Sequence, residues 1–205
     1  MKKICFLLLF PGVVFCQLEI RVLGSQDIPP SILYNGNIQK AVSFSDNNGK
    51  HLALITESGE QISKDESSFR GADIYAYQYT NVEGKWSMDW KVYDFIKDCE
   101  LDLACNYIPD TFGVTDLDQD GEAEVWLMYE LACTGDVSPS IMKVIMYENG
   151  IKHAVRGERR TLISENPKEY YGGDYAFGST FKDAPDTFRK YAVKLWKTHV
   201  DMVRN

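Results

Sequence analysis

The sequence predicts a mainly β fold: antiparallel sheet built from two related hairpin units, with a C-terminal amphipathic α-helix packed on it. Three observations carry this. Short runs of apolar and aromatic residues are separated by Asp/Asn-Gly turn signals. Two runs, 125–129 and 144–147, are nearly continuously apolar, which suits strands covered on both faces. Near the end, Phe188, Tyr191, Ala192, Leu195, Trp196, Val200 and Val203 recur at helical spacing and form one apolar stripe.

Taken in order, residues 17–31 read as a leader containing Ile28-Pro29-Pro30. Residues 38–44 alternate as a strand, Asp46-Asn47-Asn48-Gly49-Lys50 is a turn, and 52–56 is a second strand. The polar stretch 57–71 reads as a loop. Residues 73–80 are a strand, Asn81-Val82-Glu83-Gly84 a turn, and 85–92 the return strand, with Trp86, Met88 and Trp90 on one face. Residues 93–108 mix polarity and read as irregular. Strands at 124–129, 141–147 and 151–156 follow, the last two joined by Glu148-Asn149-Gly150. Asp183-Ala184-Pro185-Asp186 signals the start of a helix over 183–203. Packing is the reading of its stripe, and Lys190, Lys194 and Lys197 form its solvated face.

The chain is organised around 112–147, where an acidic, glycine-centred loop feeds a strand. Asp116, Asp118, Asp120 and Glu124 stand at positions 1, 3, 5 and 9 of the loop, with Gly121 at 6. Calcium takes six to eight oxygens, and a D-x-D-x-D-G loop wraps them around the ion. The Glu122 backbone carbonyl would supply position 7. An EF-hand also needs a bidentate Glu at position 12, where Leu127 stands, so a two-helix EF-hand is not expected. The competing reading is a plain turn, since Asp and Gly favour turns without any ion.

A weak internal repeat bears on this choice. Asp46-Asn47-Asn48-Gly49 aligns with Asp118-Gln119-Asp120-Gly121, and each tetrad opens a strand followed by strand–turn–strand. In the first copy Phe44 and Leu52 occupy positions 1 and 9. The turn therefore needs only its Asp/Asn-Gly core, and Asp116 and Glu124 are surplus to it.

The N-terminus supplies an address. Lys2-Lys3, the apolar 4–10, the break at Pro11-Gly12 and Val13-Val14-Phe15-Cys16 read as a secretory signal over 1–16, too short to span a bilayer. Cleavage before Gln17 would leave one β-rich domain, 17–205, in the periplasm or at the cell surface. The rival is a lipid anchor on Cys16, which the bulky Phe15 disfavours. No later segment is long enough for a transmembrane helix. The chain has 205 residues and a net charge of −8. That acidity argues against binding a phosphate backbone, so no nucleic-acid partner is expected. Export would leave Cys99, Cys105 and Cys133 in an oxidising compartment, where one disulfide and one free thiol are expected. Cys99–Cys105 and Cys99–Cys133 are both open pairings.

No catalytic motif stands out. His51, His153 and His199 sit in no recognisable constellation, and Ser138-Pro139-Ser140 lacks the G-x-S-x-G elbow. Cys133 with His153 could act as nucleophile and base only if the thiol were unpaired. The acidic loop could serve a hydrolase, but its consecutive spacing suits one ion better than two faces of a sugar. A second candidate ligand region joins Asp136, Ser138 and Ser140 to the aromatic glycine-rich stretch 170–178, where Tyr171 and Tyr175 could stack on sugar rings.

Val114-Thr115-Asp116-Leu117-Asp118, Glu124-Val125-Trp126, Cys133-Thr134-Gly135-Asp136-Val137-Ser138-Pro139-Ser140, Met142-Lys143-Val144-Ile145-Met146-Tyr147 and Arg156-Gly157 together resemble a family of small exported Bacteroidota proteins. That family is named for surface polysaccharide (lipopolysaccharide) biosynthesis. The resemblance covers the second half well and the first half loosely. It implies a cell-envelope role, with surface glycan or envelope assembly proteins as partners, and carries no catalytic residue across. It matches Cys99 and Cys133, which implies that these two form the disulfide and leave Cys105 over. The start at Gln17 also fits that group's signal peptides. The expected function is therefore non-catalytic support of surface polysaccharide biosynthesis, with calcium as a structural ion. The alternative is a glycan hydrolase using the acidic loop or Cys133.

Overall fold

The computed structural model describes residues 18–64 and 68–202. The signal segment with Cys16, and Val203 of the helical stripe, lie outside the described residues. Two antiparallel sheets pack face to face. The first contains β1 (Glu19–Val22), β2 (Asn37–Asp46), β3 (Gly49–Glu57), β4 (Gln61–Ile62), β5 (Arg70–Val82) and β6 (Lys85–Cys99), with β3 and β6 flanking β5. The second contains β7 (Asp102–Tyr107), β8 (Gly113–Thr115), β9 (Glu124–Thr134), β10 (Ile141–Glu148), β11 (Ile151–Glu158) and β14 (Tyr175–Phe177). A separate ribbon pairs β12 (Arg160–Glu165) with β13 (Lys168–Gly172).

The repeat is visible as topology. β2-β3-β5-β6 in one sheet and β8-β9-β10-β11 in the other are antiparallel neighbours in the same order. Their inner faces meet in one core. Val42, Phe44, Ala53, Ile55, Ile74, Ala76, Trp90 and Val92 from the first sheet pack against Val125, Leu127, Tyr129, Leu131, Ile145 and Tyr147 from the second. The continuous apolar runs follow from this layering. On the far side of the second sheet, Trp126, Met128, Val144 and Met146 pack under the C-terminal helix, so β9 and β10 are buried on both faces.

That helix, α1, spans Asp186–His199, and Phe188, Ala192 and Trp196 are its buried residues. It is shorter than the 183–203 that the stripe predicts. Pro185 is the N-cap, and the residue before a proline is pushed out of the helical region, which keeps Ala184 outside. At the other end the chain leaves the helix to pair with β12. The Arg160 N–H donates to the Val200 carbonyl at 2.6 Å, and the Met202 N–H to the Arg160 carbonyl at 2.9 Å. Among the described residues no helix is long and apolar enough to cross a membrane.

Other boundaries move as well. The expected leader supplies β1 and, with the segment that follows it, covers the outer face of the first sheet, where Leu23, Ile28, Ile32 and Tyr34, with Ile38 of β2, pack on Leu52, Leu54, Tyr77 and Tyr79. The polar stretch 57–71 contains the short β4, paired to Arg70 and Gly71. The irregular reading of 93–108 gives way to the end of β6 and to β7. Exposed Tyr93 and Phe95 on the outer face mask the alternation there. Trp86, Met88 and Trp90 do not share one face. The pairing runs Gln78↔Trp90 and then Tyr79↔Met88, so Asp89 is an extra, bulged residue. One inserted residue shifts the strand's phase. Trp90 therefore enters the inter-sheet core while Trp86 packs on the outer cluster.

Cys99 closes β6 and is bonded to Cys133 of β9, with a Cα–Cα distance of 5.8 Å. The bond ties one sheet to the other. Cys105 is free and buried; burial, followed by the nearby Asp94 charge, pushes its thiol up to about 12. With a sequence separation of 34 residues, chain-entropy arguments give the crosslink about 4 kcal/mol. Intact-mass analysis after native alkylation is expected to show no modified cysteine among Cys99, Cys105 and Cys133. Alkylation in denaturant without reductant should modify Cys105 alone. A Cys99→Ala/Cys133→Ala double variant should lose a few kcal/mol in chemical denaturation.

Candidate functional site

The turns of the two repeat units meet at one end of the sandwich. Asp46 closes β2, and its side chain accepts from the Asn48 N–H at 2.7 Å and from the Ala123 N–H at 3.0 Å. The Asn47 N–H donates to the Gly121 carbonyl at 2.9 Å, and the Asn47 amide to the Asp120 carbonyl at 3.1 Å. Gly121 has φ +85°, and a Cβ there would stand 2.1 Å from Asn47 Nδ2. Glycine is thus required twice at 121, for the left-handed backbone and for the close approach of the first turn. Asn48 donates to Asn149 at 3.0 Å, and Asn149 in turn donates to Glu122.

The loop 116–123 gathers its acids. Single oxygens of Asp116, Asp118 and Asp120 lie within 4.8 Å of one another, and so do oxygens of Asp118, Glu124 and Glu148. The second group holds a residue that sequence reasoning missed. Glu148 ends β10, one position past the Tyr147↔Val125 pair and therefore across from Glu124. Its sequence signal was hidden because Glu148 also opens the Glu-Asn-Gly turn. Position 12 of the loop is apolar Leu127, and Glu148 brings a carboxylate from the neighbouring strand instead.

Glu124 is fully buried. It accepts from the Leu117 N–H at 2.9 Å and from the Thr115 hydroxyl, whose oxygen accepts the Trp126 indole N–H at 2.8 Å. The pattern is that of a carboxylate anchored by the core and facing the loop. Asp120 also holds the turn, accepting from the Glu122 N–H at 2.8 Å. The Glu122 side chain is turned to Asn149, so only its backbone is available to the loop interior.

The electrostatics are unbalanced. Among the described residues no ion pair involves Asp116, Asp118, Asp120, Glu122, Glu124 or Glu148. Burial, followed by neighbouring acids, raises Glu148 to about 7. Burial also raises Asp118, with Asp120 adding to it, and raises Glu124. Asp116 Oδ1 and Glu148 Oε1 are buried with no hydrogen-bond partner. A hard, oxygen-seeking cation is the chemistry these donors could hold: Asp116, Asp118, Asp120, Glu124 and Glu148, with the Glu122 carbonyl.

The second candidate region divides. Asp136 serves its own loop, accepting from the Thr134 hydroxyl at 2.7 Å and the Ser138 N–H at 2.8 Å. Bonds from Ser138 and then Thr134 hold its carboxyl down at about 2. Ser140 is buried and donates to Glu130 at 2.7 Å, and Glu130 pairs with Arg159 at 3.0 Å. These polar groups are thus committed to structure. Gly172 packs against Pro139, which brings the strand of Tyr171 beside this loop with its ring exposed. Tyr175 is exposed as well, with its ring 5.1 Å from that of Trp196. Cys133 is committed to its disulfide, so the Cys133–His153 nucleophile–base pairing is overturned. His153 lies against Phe181 and Phe188.

A pH dependence follows from Glu148. Its folded-state value of about 7 lies above the ordinary 4.5, so the folded chain holds a proton that the unfolded chain releases. Without added cation, this stabilisation is present in full below pH 4.5 and is lost as pH rises through about 7. Melting temperatures in chelator should fall across that window, and Glu148→Gln should flatten the fall. No family model, curated protein or solved structure matches the chain.

Proposed function

We propose that this is an exported, non-catalytic cell-envelope protein acting in surface polysaccharide assembly or glycan binding, with calcium as a structural ion in the acidic loop. The observation that carries the ion is the crowding of Asp116, Asp118, Asp120, Glu124 and Glu148 with buried, unpartnered oxygens and no described counter-cation. Burial first, and neighbouring acids after it, raise Asp118, Glu124 and Glu148, and a cation placed there offsets both. The inter-sheet disulfide agrees with an oxidising compartment. The envelope role rests on the resemblance of the 114–157 motifs, and the signal-like 1–16 supports export. Glycan or envelope assembly proteins are the partners this reading implies.

A glycan hydrolase acting through the acidic loop is the second reading. One observation favours it: a carboxyl raised to about 7 is suited to general acid work. The two readings separate on one variant. In the structural reading, millimolar calcium raises the melting temperature over the chelator baseline. A free concentration about a hundredfold above Kd gives about 2.7 kcal/mol, or roughly 5–10 °C for a chain of this size. Asp118→Ala should abolish that difference. An Asp118→Ala variant that keeps the full calcium shift, yet loses turnover of envelope polysaccharide, would instead support the hydrolase.

A further inference from the structure

Beside the acidic loop, a cleft of about 370 Å³ opens between the two sheets, lined by Asp46, Asn48, His51, Gln78, Thr80 and Asp89, with Ala123, Asn149 and Gly150 closing it from the second repeat. Ligand pockets begin at about 300 Å³, so this is a space for one small molecule. We propose that this cleft binds a neutral polyhydroxylated ligand, a single saccharide unit, through Asp89, Gln78, Thr80 and the paired amides of Asn48 and Asn149.

The argument begins with the floor. His51 is buried, yet both ring nitrogens are engaged: Nε2 lies 2.7 Å from Asp46 and Nδ1 lies 2.8 Å from the Thr80 hydroxyl. The ring stacks on Phe44 at 4.8 Å. Thr80 donates to Asp89 Oδ2 at 2.5 Å, Gln78 donates to the same oxygen at 3.1 Å, and the Trp90 indole N–H donates to Gln78 at 3.1 Å. A run of polar side chains therefore crosses the sheet from the repeat junction to the strand edge. Ordered polar networks of this kind fix their members in place.

The bulge is the second observation. Asp89 is the extra residue in β6, and the insertion aims its carboxylate along the sheet to Gln78 and Thr80. Bulges recur beside functional sites because they re-aim one side chain. Its other oxygen, Oδ1, has no hydrogen-bond partner among the described residues.

The chemistry of the lining selects the ligand. Amides and a hydroxyl both donate and accept, as sugar hydroxyls do. Asp46 is turned inward to three partners, the Asn48 and Ala123 N–H groups and His51, so Asp89 is the one carboxylate left to face a ligand. That is too little negative charge to single out a cation, and the lining residues include no Lys or Arg to hold an anion. No Phe, Tyr or Trp lines the cleft, so binding rests on hydrogen bonds and falls in roughly the millimolar range.

This site deepens the envelope-glycan reading and rests on it for the choice of probes, but it does not require the ion. The test is an NMR titration of the isotope-labelled protein, with and without calcium, against glucose, galactose, mannose and N-acetylglucosamine. The expected result is saturable shifts of the His51 ring and of the Thr80, Asp89 and Asn149 amides with at least one sugar. Asp89→Asn, at an exposed position, should weaken binding by roughly tenfold without lowering the melting temperature. Should His51→Gln fail to fold, Asp89→Asn and Gln78→Ala still carry the test. No saturation with any sugar by about 100 mM, shifts indifferent to Asp89→Asn, or stronger saturation by ethanolamine would each overturn the proposal. A calcium-dependent melting shift without sugar binding would sink the cleft alone. Sugar binding without a calcium shift would sink the ion alone.

Discussion

The carboxylate of Asp46 is the constraint on which one end of the molecule depends. It accepts the N–H of its own turn, the N–H of Ala123 in the acidic loop, and pairs with His51. Each contact belongs to a different feature: the first repeat's hairpin, the second repeat's loop, and the floor of the cleft. A buried carboxylate is costly unless its oxygens are met by donors. Meeting them here forces the two turns together, and the approach of Asn47 then dictates glycine at 121.

Around that junction the layers follow from burial. Each sheet has two faces to cover, and each pair of faces is covered differently. The sheets cover one another, α1 covers the second sheet, and the segment 23–38 covers the first. This last layer is irregular. Its backbone groups draw on side chains, as when the Asn35 N–H donates to the Tyr77 hydroxyl at 3.1 Å and the Thr56 hydroxyl to the Asn35 carbonyl at 2.5 Å.

Much of this is legible in the residues. The doubly apolar runs of β9 and β10 announce strands covered on both faces, the 188–200 stripe announces the helix, and the paired Asp/Asn-Gly turns announce the repeat. What was hidden has identifiable causes. Glu148 reads as a turn residue because its partner Glu124 is distant in sequence and adjacent only through strand register. The bulge at Asp89 leaves no local mark, so Trp86 and Trp90 look alike along the strand. The cleft needs Asp46, His51, Thr80 and Asp89 at once, and no spacing rule joins four residues from four strands. The helix reads too long because Val200 and Val203 continue the stripe's spacing while the backbone at 200–202 is drawn off by β12.

The position of the disulfide has one more consequence. Cys99 ends β6 and Cys133 lies near the end of β9, far along both strands from the turns at 46–49 and 116–123. The two sheets are therefore fastened like the covers of a book, with a covalent spine at one edge. At the opposite edge the turns are held by reversible contacts, those of Asp46 and Asn47 with Gly121 and Ala123 and that of Asn48 with Asn149. A covalent tie at one edge limits separation of the sheets there and leaves the other edge to noncovalent contacts. The acidic loop and the cleft lie at that second edge.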